Sequence, residues 1–125
     1  MISIDEVEIV LDEIAEEIPK EFFKELNGGI LLLPQAKKSP YARADDLWIM
    51  GEYQYSHSMG RLINIYYGSF EKLYGNISIK RLKYELREVL LHEFTHHLES
   101  LAGEKGLEKK DAERLARYQG NKRKE

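Results

Sequence analysis

The pentapeptide HEFTH at residues 92–96 combines residue types suited to metal-assisted hydrolysis. It falls late in the longest helical pattern of the chain, residues 78–101, and side chains four residues apart on a helix share one face. His92 and His96 can therefore direct two neutral imidazoles, which are good zinc ligands, at one point. Glu93 can reach a zinc-bound water without binding the metal itself. The spacing predicts that the two histidines hold Zn²⁺ and that Glu93 deprotonates a water that attacks a carbonyl.

The neighbouring residues favour a metal site over the alternative explanation, which is two surface histidines beside an ordinary glutamate. No proline follows Pro40, so proline does not break the helix. The apolar stripe of the helix consists of Leu82, Leu86, Val89 and Leu90. At 3.6 residues per turn, His92 and His96 lie beside this stripe. Glu93 and His97 lie closer to it, so the metal is expected at the margin of the core.

A third ligand is expected, because catalytic zinc usually has three protein ligands and one open position. The extended HExxHxxGxxH pattern is absent, since Glu99 and Ala102 occupy its later positions. We expect a carboxylate on the following helix to fold back towards the two histidines, and we favour Asp111. Glu99 is better placed to support a histidine than to bind the metal. The remaining candidate ligands are Glu113, Glu108 and Glu104. For each of the five carboxylates, an ordinary solvated charge on the protein surface is an equally good explanation.

Two further histidines need separate explanations. His97 points away from the face shared by His92 and His96, so it is predicted to pack or to form hydrogen bonds rather than bind the same metal. His57 lies in a predicted loop and could stabilise an oxyanion from there. A lone histidine in a loop more often has no such role.

Composition narrows the class of protein. A chain of 125 residues with 42% hydrophobic residues predicts one small domain with one core. The net charge of −3 gives no electrostatic case for binding nucleic acid or an anionic membrane. The absence of cysteine excludes disulfides, a thiol nucleophile and a cysteine-ligated zinc finger. The acidic N-terminal segment lacks the features of a signal peptide, and no apolar run approaches membrane-spanning length, so a cytoplasmic protein is expected.

Hydrophobic periodicity predicts both helices and strands. The first helix covers residues 4–18, where Ser3 or Asp5 can cap its start and Pro19 ends it. Gly103 and Gly106 are expected to end the long helix. The further predicted helices are at residues 21–26, 68–74, 78–101 and 107–118. Strands or extended segments are predicted at residues 30–33, 47–53 and 61–67, separated by loops at 35–46 and 54–60.

Together these segments resemble the minimal zincin-like family of small bacterial zinc metallopeptidases. The resemblance covers most of the chain, and its most specific features are the doubled histidine at residues 96–97 and the short architecture. The segments that carry it are residues 18–22 (IPKEF), 30–33 (ILLL), 50–53 (MGEY), 63–67 (INIYY) and 90–97 (LLHEFTHH).

The resemblance implies an α+β, zincin-like fold. In that fold a small mixed sheet packs on an HExxH active-site helix, with further helices near the N- and C-termini. It implies one metallopeptidase domain at residues 1–120, followed by a basic tail at residues 121–125. The family commonly has Gly at the position of Glu99 and an Asp soon after it. By resemblance, Asp111 is that Asp, displaced by the residues at 100–110, and is the third zinc ligand.

These residues and the resemblance together predict a zinc-dependent metallopeptidase that hydrolyses a peptide or protein substrate. The edge of the covering strand could bind an extended peptide by strand pairing. Two alternatives stay open. One is a non-catalytic metal-binding or protein-interaction module on a zincin fold, and the other is a regulatory protease that acts on one partner protein.

Overall fold

The fold is α+β, as the sequence predicted, with three α-helices and a small mixed sheet among the described residues. The computed structural model describes residues 2–40 and 47–105, with side chains described up to Gly103. The predicted helix at 107–118 and the tail at 121–125 lie outside these residues. In chain order the elements are α1 (Ile4–Glu17), a 3₁₀ turn (Lys20–Phe23), β1 (Gly29–Leu33), β2 (Lys37–Lys38), β3 (Trp48–Ile49), β4 (Gly51–Ser56), β5 (Gly60–Tyr66), α2 (Tyr67–Tyr74) and α3 (Ile79–Lys105).

A three-stranded sheet in the order β1-β5-β4 provides the strand that lies nearest to the pentapeptide. β1 runs parallel to β5, with Ile30 opposite Ile63. β4 runs antiparallel to β5 and places Tyr53 opposite the same Ile63. β2 and β3 form a separate two-residue ladder. β4 is therefore an edge strand, and no other described strand pairs with its second edge.

α3 carries the longest apolar face of the described residues and contacts both β4 and β5. Its buried apolar residues recur every three or four positions, which is the pattern of a helix with one face in the core. They are Leu82, Leu86, Leu90, Leu91, Phe94, Leu98 and Leu101. Within residues 2–40 and 47–105, no helix combines the length and apolarity needed to cross a membrane.

α1 supports α3 through an apolar face and ion pairs. Of the two predicted caps, Ser3 is the one used: its hydroxyl accepts the Glu6 N–H at 3.1 Å, and the Glu6 carboxylate accepts the Ser3 N–H at 3.0 Å. This capping box satisfies two backbone donors that a helix start otherwise leaves unpaired. Glu17 near the end of α1 accepts ion pairs from Arg87 at 2.6 Å and Lys83 at 3.1 Å on α3.

The prediction of a loop at residues 54–60 was wrong. β4 continues to Ser56 and turns directly into β5, so the segment is a hairpin. The hydroxyl of Ser56 accepts two backbone N–H groups of the turn, and Gly60 takes the positive φ of 75° that the turn requires. Exposed polar residues on an edge strand resemble a loop in sequence, which explains the error.

Three smaller predictions also differ from the structure. Gly103 does not end α3, which continues to Lys105. An exposed glycine inside a helix costs only about 1 kcal/mol relative to alanine, so it lowers stability without breaking the helix. The predicted loop at 35–46 contains the short strand β2, and Tyr67 belongs to α2 rather than to the preceding strand.

Candidate active site

His92 and His96 lie one turn apart on the exposed side of α3, and their rings converge. The two Nε2 atoms are 3.1 Å apart, and the ring planes are inclined at 87°. Two nitrogen ligands of a tetrahedral zinc, each about 2.0–2.1 Å from the metal, are about 3.3 Å apart. The observed spacing therefore suits two adjacent ligands of one zinc ion. It also allows a hydrogen bond between the rings when one Nε2 carries a proton.

Glu93 is the buried member of the pentapeptide, with 6% of its surface exposed. Burial raises the pKa of its carboxyl, and the nearby imidazoles of His92 and His96 offset part of that increase. The backbone N–H of Tyr53 donates a hydrogen bond to the carboxylate and also offsets it. A fixed carboxylate with a raised pKa has the proton affinity and the orientation that a general base needs.

Gly51 lets β4 lie directly against α3. A Cβ at this position would come within 2.6 Å of Val89 Cγ1 and 3.3 Å of Glu93 Cγ. The Tyr66 N–H donates to the Met50 carbonyl at 2.9 Å, so alternate residues of β4 bond to β5. By this alternation the backbone groups of Gly51 face the open edge of β4. The N–H of Tyr53, which faces the same way, is the group that holds Glu93.

Two clefts meet at Glu93. One, of about 600 Å³, opens on the His96 side and is also lined by Glu52 and Ser100. The other, of about 500 Å³, opens on the His92 side. Ile49, Gly51 and Glu93 line both, so the two clefts adjoin at the edge of β4, with His96 lining one and His92 the other.

The described residues do not complete a metal site. Within residues 2–40 and 47–105, no three His, Asp or Glu side chains are grouped so that they could hold one ion. Glu99 Oε1 lies 3.9 Å from His96 Nδ1, which is beyond hydrogen-bond distance but faces the nitrogen that does not approach His92. Asp111, Glu113 and Glu108 lie outside the described residues, as does the side chain of Glu104, so each stays a predicted ligand.

His97 fulfils the prediction that it would pack and form hydrogen bonds. Its side chain is fully buried, with Nε2 at 2.8 Å from the Lys24 carbonyl and Nδ1 at 2.9 Å from the Tyr53 hydroxyl. Burial lowers the pKa of the imidazole, which keeps it neutral. His57 is exposed at the hairpin turn beside the Tyr55 ring and lines neither cleft, so its predicted oxyanion role has no geometric support.

Sequence reasoning missed the polar residues of the sheet that border the site. The Glu52 carboxylate accepts hydrogen bonds from Lys37 at 2.7 Å, Tyr66 at 2.9 Å and Gln54 at 3.0 Å. Burial alone would raise the pKa of Glu52, but the hydrogen bonds from Lys37 and Tyr66 outweigh it and lower the pKa. Strand alternation in MGEY is the one signal that could have placed Glu52 and Tyr53 on opposite faces.

A comparison with solved structures shows a relative of this chain. No family model matches the chain, and no curated protein is similar to it. Among solved structures, it is similar to a conserved hypothetical protein from Thermo thermophilus, with 33% identity and a TM-score of 0.67. The match covers 81% of this chain and 98% of that one. The chain therefore belongs to the same family as that protein.

Proposed function

We propose that this chain is a zinc-dependent metallopeptidase on a zincin-like fold. In this proposal His92 and His96 bind Zn²⁺, and Glu93 is the general base. The observation that carries the proposal is the convergence of the two imidazoles, 3.1 Å apart, beside a buried carboxylate that is fixed by an edge strand.

The donor atoms suit zinc, since neutral imidazole nitrogens on one helix face are typical ligands of catalytic sites. We propose Asp111 as the third ligand, on the resemblance described above. The alternatives are Glu113, Glu108, Glu104 and Glu99. Zinc bound at such a site supplies a Lewis acid that lowers the pKa of a coordinated water and polarises a carbonyl.

Glu93 moves the proton in the proposed reaction. Its carboxylate takes a proton from the water as that water attacks the scissile carbonyl, and returns it to the leaving amine. The raised pKa favours the uptake step, because the protonated carboxyl is stabilised where it is buried. The Tyr53 N–H keeps the carboxylate aimed at one place through both transfers.

The open edge of β4 supports a peptide as the substrate class. An extended peptide can pair with the outward backbone groups of this strand, as in other proteins that bind peptides by strand addition. The clefts on the His92 and His96 sides of Glu93 would then receive side chains from the two sides of the scissile bond. A substrate peptide paired with β4 would pass the two imidazoles at the point where the clefts adjoin.

Substitution of Glu93 tests the proposed mechanism. In the full chain loaded with zinc, Glu93→Gln should keep the metal content of the parent and reduce hydrolysis of a broad peptide library by about 10²–10⁴-fold. Retained turnover in this variant would refute Glu93 as the base. A parent that binds zinc but cuts no peptide in the library would contradict a general peptidase. If Glu93→Gln then captures one intact protein, the hypothesis of a regulatory protease that acts on one partner replaces that of a general peptidase.

A further inference from the structure

Tyr53 contacts α3 at two points that are one helical turn apart. Its backbone N–H donates to the Glu93 carboxylate, and its side-chain hydroxyl lies 2.9 Å from Nδ1 of His97. Glu93 and His97 are four residues apart and therefore share a face of the helix. The two contacts together set both the height and the rotation of β4 relative to α3.

The direction of each hydrogen bond around His97 follows from the chemistry of the groups. The Lys24 carbonyl can only accept, so the hydrogen of the neutral imidazole must be on Nε2, at 2.8 Å from that oxygen. Nδ1 is then the acceptor, and the Tyr53 hydroxyl must donate to it. The hydroxyl oxygen is left to accept the N–H of Arg61 at 3.0 Å.

This series of hydrogen bonds is buried at His97 and Arg61. His97 is fully buried, and only 4% of the Arg61 surface is exposed. Arg61 also donates to the hydroxyl of Ser100, which lies on α3 and lines the cleft beside His96. The hydrogen bonds therefore link Lys24, after the 3₁₀ turn, to His97 on α3 and Tyr53 on β4. They continue through Arg61 on β5 and end at Ser100 on α3. Buried polar networks in which every group is satisfied rigidify the elements that they join.

We propose that Tyr53 and His97 are positioning residues whose hydroxyl–imidazole contact holds β4 in the register that keeps the Tyr53 N–H on the Glu93 carboxylate. Their effect on catalysis rests on the proposed role of Glu93 as the base. The structural coupling between the two contacts of Tyr53 does not depend on that role. It can be measured without any substrate.

The first test is amide hydrogen exchange by NMR on the full chain. Tyr53→Phe removes only the hydroxyl, and Tyr55→Phe makes the same change at an exposed position of the same strand. We expect exchange at the residue-53 amide to accelerate about tenfold in Tyr53→Phe, the effect of losing roughly one net hydrogen bond. Tyr55→Phe should leave it unchanged. The amide of the buried Ile65 in β5 should keep its exchange rate in both variants and reports any global destabilisation.

An unchanged exchange rate at the residue-53 amide of Tyr53→Phe would overturn the proposal, and so would an equal acceleration of exchange at Ile65.

Two substitutions of His97 test the same contact from the imidazole side, and they serve if Tyr53→Phe does not fold. His97→Asn places an amide oxygen near the position of Nδ1 and can still accept from the hydroxyl. His97→Gln keeps the donor to Lys24 but loses that acceptor. Faster exchange at residue 53 is expected in His97→Gln only, and the reverse order would contradict the proposal.

A kinetic test distinguishes failure of this inference from failure of the proposed function. Where the peptide library yields a substrate, Tyr53→Phe should lower kcat about tenfold and leave zinc content unchanged, because it disturbs the orientation of the base. A smaller change in KM is expected, because β4 also binds the peptide in the proposed function. A rise in KM at constant kcat would instead make Tyr53 a substrate-binding residue. Absence of library hydrolysis in the parent would contradict a general peptidase and leave the exchange result as the test of the coupling.

Discussion

The adjacent residues His96 and His97 have opposite environments on α3. Half of the His96 side chain is exposed, and its Nε2 faces His92 at the rim of the clefts. His97 is fully buried, and both of its nitrogens have protein partners. We call the surface formed by His92 and His96 the rim face, and that formed by Glu93 and His97 the core face. The rim face keeps nitrogen atoms accessible to a ligand, whereas the core face uses its polar atoms to fix neighbouring elements.

The largest difference between the two faces should be in stability. His97→Ala leaves a cavity and removes the partners of the Lys24 carbonyl and the Tyr53 hydroxyl, so we expect it to lower the free energy of unfolding by about 2–4 kcal/mol. His92→Ala, at an exposed position, should change it by less than about 0.5 kcal/mol. Urea unfolding of the metal-free chains measures both. Equal losses would show that burial does not separate the two faces.

Close contact between β4 and the core face predicts a smaller loss for Gly51→Ala. The added Cβ would overlap Val89 and crowd Glu93, so we expect a loss of about 1–3 kcal/mol by thermal or urea unfolding. Gly103→Ala is the control, because nothing lies within 4 Å of a Cβ there. It should stabilise α3 by up to about 1 kcal/mol. A neutral Gly51→Ala would mean that β4 can move away from α3 without cost.

Burial of Glu93 should lower the stability of the metal-free protein at neutral pH. Its folded pKa is raised, so its favourable contribution is complete below the unfolded pKa of about 4.3 and is lost as pH rises through the folded pKa. Glu93→Gln should therefore be more stable than the parent at pH 7, by about 0.5–2 kcal/mol. The gain should shrink as the pH falls from the raised folded pKa of Glu93 towards about 4.3, and it should be constant below that. Glu99→Gln, on an exposed side chain, is the control, and a pH-independent gain would contradict the explanation.

The smallest effect is expected where a carboxylate only approaches the rim face. Glu99 lies 3.9 Å from His96 Nδ1, too far for a hydrogen bond. We expect Glu99→Gln to change zinc affinity by less than tenfold, below the 10–100-fold typical of a hydrogen-bonded supporting carboxylate. Titration against a competing chelator measures this. A larger loss would mean that Glu99 moves into contact with His96, or with the metal, when zinc binds.

Helical periodicity was enough to predict the two faces of α3. The 3.6-residue repeat placed His92 and His96 beside the apolar stripe and Glu93 and His97 nearer to it, and their exposure agrees. The capping residue Ser3 was also among those predicted, because a capping box is a local pattern. Local patterns of this kind depend only on residues within one or two turns of each other.

Contacts between distant segments could not be predicted in the same way. The Tyr53 N–H on Glu93 and the Lys24 carbonyl on His97 join elements that no periodicity brings together. The close approach at Gly51 was likewise invisible, because a glycine between apolar residues also suits a turn. The third ligand depends on such a contact too, and Asp111 stays a prediction.

Zinc content is the measurement that tests the central claim most directly. The full chain, purified without added metal and then reconstituted, is compared with His96→Ala on the rim face and His97→Asn on the core face. We predict about one zinc per chain in the parent and in His97→Asn, and loss of zinc in His96→Ala. A parent that binds no zinc after reconstitution, or a His96→Ala variant that keeps it, would contradict the proposed metal site.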